Sequence, residues 1–344
     1  MKRNMNHWFE STINDVTKKS IPVLSFPGMR LIDANVNELV HSGELQAKCM
    51  KAIAQRYDTG AALSLMDLSV EAEAFGSPIR FSEYDVPTVT AAILNEPQDI
   101  VSLRTPVVGD GRTDECVKGV ELACKMITDR PVFASVIGPF SLAGRLMDMT
   151  NIMIMALEDP EFVEATLEKV TAFITTYILA LKAAGANGVV MAEPAAGLLS
   201  PKLNRDFSIR YVDRVRRAVE DENFLMIYHN CGHVLPQLAD VAASGVRAFH
   251  LGNAINLKRA LEILPGGVIV MGNIDPVMIR NGTPEMVEDA TYSLMQVCGR
   301  YPNFIVSSGC DIPPMTDFKN IDAFFETVNR CNEGAYRKLY TMIA

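Results

Sequence analysis

The sequence predicts an α/β fold: a (β/α)8 TIM barrel with an N-terminal helical extension and a long insertion after the second strand, built as one domain over residues 1–344. Three observations predict it. Eight short, β-rich apolar runs recur along the chain, longer segments with helical spacing separate them, and most runs are apolar throughout rather than alternating. Strands covered on both faces, as in a closed parallel sheet, have that character. No Gly/Ser-rich or Pro-rich linker, low-complexity tract or repeat of about 20–50 residues divides the chain. A doubly wound open sheet is the alternative.

The first strand is expected in "IPVLSFPG" (21–28) and the second in "AALSLM" (61–66), with a helix over 42–58 between them. Residues 67–130 form the insertion, a segment of the kind that builds over a barrel mouth. "PVFASVIG" (131–138) is the third strand, and Gly138 and Pro139 read as the turn that closes it. The methionines of "RLMDMTNIMIMALED" (145–159) have helical spacing and read as core, since Met fills irregular gaps. A helix over 160–184 leads to "GVVMAE" (188–193), and one over 201–220 leads to "FLMIYH" (224–229). Helices over 233–243, 257–263 and 284–299 alternate with "VRAFHLG" (246–252), "GVIVMGN" (267–273) and "FIVSSGC" (304–310). Several helices open with Pro or Ser near the first turn.

The hydrophobic share of 49% and charged share of 21% describe a globular chain able to bury a large core. A net charge of -9 without a block of Lys and Arg argues against broad nucleic-acid binding. The first twenty residues lack the apolar core of a secretory signal. "TAFITTYILALKAAGANGVVMAEP" is interrupted by Lys182 and "GANG", which suits a buried helix, a turn and a strand better than a membrane span. A cytoplasmic location is expected, where seven cysteines are thiols or metal ligands rather than disulfides.

In such a barrel the chemistry sits at the C-terminal ends of the strands. "YHNCGH" (228–233) puts His229 at the end of the fifth strand and Cys231 in the loop after it, and Cys310 ends the eighth. One imidazole and two thiolates suit Zn2+, with a fourth position left for water or substrate. The bland alternative is two small buried cysteines and a hydrogen-bonded core histidine. His233 reads as a cap or surface residue, and Cys49, Cys116, Cys124, Cys298 and Cys331 as packing residues of helices. Two thiolates cancel the charge of the ion, which makes the centre poor at splitting water but able to hold an incoming thiol as thiolate. Alkyl transfer to sulfur is the chemistry such a centre suits.

Six segments, "MDLSVEAEAFG" (66–76), "VIGPFSLAGRLMD" (136–148), "GANGVVMAEPAAGLLSP" (185–201), "YHNCG" (228–232), "GNIDP" (272–276) and "SSGCDIPP" (307–314), together carry a family resemblance. The chain resembles the uroporphyrinogen decarboxylase superfamily, and within it the corrinoid-dependent methyltransferases of the methylcobalamin:coenzyme M type. The resemblance implies zinc on His229, Cys231 and Cys310. It also implies a methylated corrinoid on a separate corrinoid protein as methyl donor, and a small thiol such as coenzyme M as acceptor. Decarboxylases of the superfamily lack the His/Cys/Cys set and carry an arginine-rich "RQAGR" segment where this chain has "SFPGMRLID", with Arg30 alone. A substrate with many carboxylates wants several cationic partners, so decarboxylation is the weaker reading. A third is a non-catalytic docking partner of a corrinoid protein with a structural zinc.

Supporting residues follow from position. Glu193, ending the fourth strand, is a candidate catalytic group as a transient metal ligand, a proton acceptor for the thiol or a partner of His229, unless it only satisfies a helix end. Asp275 is a second catalytic candidate, with helix capping as its alternative, and Asn273 a candidate for cofactor contact. The family pattern includes Glu73, which is expected on the cofactor side. Two carboxylates at i and i+2 do not share a helix face, so one of Glu71 and Glu73 points inward. Arg30, Arg80 and Arg145 are candidates to hold an anionic tail, with surface exposure as the alternative.

Overall fold

The computed structural model describes residues 2–333, in which seven parallel strands curl into one sheet in chain order. They are β1 (Ala62–Leu63), β2 (Val132–Ile137), β3 (Gly188–Ala192), β4 (Leu225–Asn230), β5 (Ala248–Leu251), β6 (Ile269–Ile274) and β7 (Phe304–Ser308). Seven of the eight expected strands are therefore present, and the first is corrected: 21–28 is not a strand. Its chain still closes the ring. Ser20 bridges to Val306, the Ile21 N–H donates to Val306 O at 3.0 Å, and the Gly60 N–H donates to Ser20 O at 2.9 Å. Pro22 has no N–H with which to extend that ladder, and Phe26–Leu31, with Pro27 in its first turn, winds into a 3-10 helix.

The expected N-terminal helix is α1 (Met5–Asn14), whose start is capped by the Asn4 side chain accepting from the His7 N–H. Met5 and Phe9 enter the barrel's apolar interior, and the Trp8 ring lies 5.7 Å from that of Phe133. Strand residues of one parity fill the same interior, among them Leu63, Phe133, Val190, Ile227, Ala248 and Ile305. Two positions further along their strands, the same parity selects His229, His250 and Ser307, where the packing turns polar.

The larger core lies between the sheet and its surrounding helices. These include α2 (Gly43–Arg56), α3 (Val70–Ala74), α4 (Thr113–Met126), α5 (Pro139–Met147), α6 (Met149–Glu158), α7 (Pro160–Ala183) and α8 (Arg210–Val219). Beyond them come α9 (Leu238–Ala243), α10 (Leu257–Ile263), α11 (Pro276–Asn281), α12 (Pro284–Cys298) and α13 (Phe318–Asn332). The insertion holds α3, an antiparallel pair, Ile79–Arg80 with Thr88–Val89, and a short helix, Pro97–Ser102. It ends before residue 130, because α4 buries Val120, Ala123 and Cys124 as a barrel helix. Met147 is buried, and Met149, Met153 and Met155 pack against the core, as their spacing predicts.

The helix expected over 201–220 is interrupted: Pro201–Asn204 and α8 flank a π-helical turn, Arg205–Ile209. The helix expected from 233 starts later, through a 3-10 turn at Leu235–Gln237, and leaves His233 exposed in the loop. Among the described residues no helix is long and apolar enough to cross a membrane.

Candidate metal centre

His229, Cys231 and Cys310 meet at one end of the barrel, their ligand atoms all within 4.8 Å of one another. His229 is buried on β4, whereas both cysteines are half-buried. The turn carrying Cys231 is set by its neighbour. Asn230 Oδ1 accepts from the Gly232 N–H at 2.8 Å while its Nδ2 donates to Glu193 O at 2.7 Å, so the chain bends immediately after the strand. Gly252 must lack a side chain, because a Cβ there would lie 2.4 Å from Cys231 Cα. Cys310 follows β7, where the Gly309 N–H donates to Ile274 O at 2.6 Å.

The set fits a zinc ion. With Zn–S near 2.3 Å and Zn–N near 2.0–2.1 Å, a tetrahedral ion holds a thiolate and an imidazole nitrogen about 3.6 Å apart. Cys310 Sγ and His229 Nε2 are separated by 3.6 Å. Electrostatics prepare one thiolate in advance. The hydrogen bond from Cys310 lowers the Cys231 pKa against the cost of burial, with help from His229, and the same contact and burial raise that of Cys310. The contact therefore favours a single proton shared by the pair.

Behind His229 lies a buried polar chain. His229 Nδ1 is 2.7 Å from His250 Nδ1 and 3.2 Å from His250 O. His250 Nε2 is 2.7 Å from Ser307 Oγ, which donates to Ile21 O at 2.7 Å. Burial, reinforced by His229, keeps the His250 pKa well below its ordinary value, so this imidazole is neutral. Sequence reasoning missed His250 and Ser307. Their signal was parity: in parallel register His250 pairs with His229, and each lies two positions beyond a core-facing residue, Ala248 or Ile305.

The remaining candidates have other partners. Glu193 is fully buried and sits at the N-terminus of α5: Oε1 accepts from the Phe140 N–H at 2.8 Å and the Ser208 hydroxyl at 3.0 Å, and Oε2 from the Ser141 N–H at 2.9 Å. Those are the bonds of a helix cap, and the π-helical turn brings Ser208 to it. Burial raises its pKa, opposed by these donors. Gly138 is required beside it, since a Cβ would lie 2.4 Å from Oε2. Asp275 caps α11 through the Val277 N–H at 2.8 Å, and Asn273 Nδ2 ties β6 to Gly252 O and Ile255 O at 2.9 and 3.0 Å.

Of the two glutamates in the insertion, Glu71 is the inward one, accepting from the Ile137 N–H at 3.0 Å. Glu73 is half-buried and binds Arg112 Nε at 2.6 Å; Arg112 also holds Asp67 at 2.6 Å and Ser69 Oγ at 2.8 Å. Arg30 donates to Thr316 O and lies over the Phe318 ring, and Arg80 is exposed on the two-stranded pair. Arg145 is placed differently. It lines a cavity of about 400 Å³ together with Cys310, Asp311, Asp85, Met66 and Leu68.

The family model described as Uroporphyrinogen decarboxylase (URO-D) matches residues 21–331. The chain belongs to that family. Among URO-D relatives, the methylcobamide:CoM methyltransferase MtbA of Methanosarcina acetivorans is 26% identical over 268 residues, 76% of each chain. The uroporphyrinogen decarboxylase of Psychromonas ingrahamii is 25% identical over 289 residues, 79% of this chain and 80% of that protein. A solved structure titled as a methyltransferase from Methanosarcina mazei superposes with a TM-score of 0.84 at 22% identity, covering 96% of this chain and 99% of that one, and shares the fold. The relatives of this URO-D chain thus include proteins named as methyltransferases and as decarboxylases.

Proposed function

We propose that this URO-D family chain is a zinc-dependent methyltransferase that moves a methyl group from a methylated corrinoid, carried on a corrinoid protein, to a zinc-bound thiol such as coenzyme M. The observation that carries the reading is the meeting of His229, Cys231 and Cys310 in a geometry suited to zinc, with Cys310 lining an open cavity. Zinc held by one imidazole and two thiolates would keep a fourth ligand, the acceptor thiol, deprotonated while leaving it nucleophilic. In the transfer the acceptor sulfur bonds to the methyl carbon as the carbon–cobalt bond breaks, and that bond's electron pair stays on cobalt, taking it from Co(III) to Co(I).

The protein's own residues supply position. Asn230 fixes the Cys231 turn, Glu193 at the end of β3 anchors α5 by accepting from its first N–H groups, and Arg145 faces the cavity as the cation for an anionic tail. In this reading Asp275 and Asn273 shape the loops on β6, and Glu73 orients the insertion through Arg112. The cavity lining contains one arginine, no lysine and two aspartates, a poor match for a substrate with many carboxylates, which disfavours decarboxylation of a porphyrinogen.

The test is anaerobic spectroscopy of methylcobalamin with coenzyme M and the zinc-loaded protein. The reading predicts loss of the methylcobalamin spectrum, appearance of cob(I)alamin and formation of the S-methyl product, all abolished in Cys310→Ser. Zinc-loaded wild type that leaves methylcobalamin unchanged with coenzyme M and with other small thiols contradicts it.

A further inference from the structure

The buried chain behind His229 has one possible direction, which fixes where the proton of that imidazole sits. Ile21 O is a backbone carbonyl and can only accept. The Ser307 hydroxyl, 2.7 Å away, therefore spends its single hydrogen there. Ser307 Oγ is left as an acceptor, so His250 Nε2, at 2.7 Å, must be the N–H side of its ring. A neutral imidazole protonated at Nε2 presents a bare lone pair at Nδ1. His229 Nδ1, 2.7 Å from that lone pair, then carries the hydrogen. A second acceptor agrees: the carbonyl of His250 lies 3.2 Å from the same His229 nitrogen.

We infer that Ile21 O, through Ser307 and His250, holds a hydrogen on Nδ1 of His229, which leaves Nε2, the nitrogen facing Cys310, as the one that can give its lone pair to an ion. His250 and Ser307 are thus positioning residues. The inference deepens the metal-centre reading and rests on it for its purpose, but the tautomer is a property of the metal-free protein.

The segment bearing Ile21 is the one that fills the barrel's eighth place without forming a strand. A regular strand would tie successive carbonyls into the ladder. Here Ile21 O is free to end the chain.

The experiment is long-range 1H–15N correlation on metal-free protein with 15N-labelled histidine, with His229 and His250 assigned by single substitution. The expected result is Nδ1-protonated His229 and Nε2-protonated His250. In Ser307→Ala the His250 ring loses its acceptor and both rings become tautomer mixtures, whereas Ser307→Thr, which keeps the hydroxyl, restores the wild-type pattern. Zinc affinity, read by chelator competition, falls about 10–100-fold in His250→Phe. Wild-type His229 protonated at Nε2 overturns the inference without any variant having to fold, as does a Ser307→Ala protein with unchanged tautomers. If the expected tautomers are found but no zinc binds, the functional reading fails and the tautomer assignment stands.

Discussion

Cys310 Sγ lies 3.6 Å from His229 Nε2 although 81 positions separate the two residues in the chain. His229 lies on β4 and Cys310 just after β7; these strands are not neighbours in the sheet, and curling of the sheet brings their ends across the barrel mouth. A pair spaced like two ligands of a tetrahedral ion, beside a half-buried second thiol, should behave unlike the other cysteines.

In metal-free protein at neutral pH, Cys231 should be the first thiol alkylated. The Cys310 hydrogen bond favours its thiolate, while burial pushes Cys49, Cys116 and Cys298 up to about 12 and Cys124 to about 11. Peptide mapping after brief iodoacetamide treatment checks this, and added zinc should protect the site. Equal labelling of Cys231 and Cys124 would refute the shared-proton pair.

Arg145 lines the cavity beside Cys310 with no ion-pair partner among the described residues. Arg145→Ala should raise KM for an anionic thiol about tenfold or more, the loss expected for one charged hydrogen bond, with zinc content unchanged. Steady-state kinetics with coenzyme M against an uncharged thiol of similar length separate tail recognition from general damage.

Glu71 gives the fold a pH dependence with a definite sign. Burial, opposed by the Ile137 N–H and reinforced by Asp67, raises its pKa from 4.5 to about 8. The folded state holds this proton longer than the unfolded chain does, so its contribution to stability is complete below about pH 4.5 and is lost as pH rises through about 8. Between pH 5 and 7 the loss is about 2 kcal/mol. Urea denaturation of metal-free wild type and Glu71→Gln at both pH values should show the wild type losing that much more than the variant.

Arg112 joins the two ends of the insertion by binding Asp67, Glu73 and Ser69 in a nearly dry setting. Arg112→Leu leaves Asp67 buried without its cation and should cost about 3–5 kcal/mol in chemical denaturation. Adding Asp67→Asn should recover part of that loss; a double variant no more stable than the single one would count against the ion pair.

The alternation of apolar runs and helical segments made the barrel legible, and the two strand ends made its metal-binding candidates legible. The first strand was misread because "IPVLSFPG" has the composition of a strand, whereas its two prolines keep it from extending the bridge made by Ser20 just before it. Glu193 and Asp275 were visible as strand-end carboxylates. Their donors, the N–H groups of α5 and α11, depend on how each helix turns after its strand, which residue order alone does not specify. His250 was hidden in "VRAFHLG", where a lone histidine in an apolar run carries no signal until the register beside His229 is known. Arg145 could be named with Arg30 and Arg80, but distinguishing it required the position of the cavity.

The central claim, that His229, Cys231 and Cys310 bind zinc with a position open to thiols, is tested most directly by metal analysis followed by X-ray absorption at the zinc edge. Purified wild type should carry about one zinc per chain, as three ligands of this kind imply, and Cys310→Ser should lose it. Adding coenzyme M should replace a light zinc ligand with a third sulfur near 2.3 Å. Wild type that holds no zinc after reconstitution, or a zinc shell unchanged by thiol, would contradict the claim.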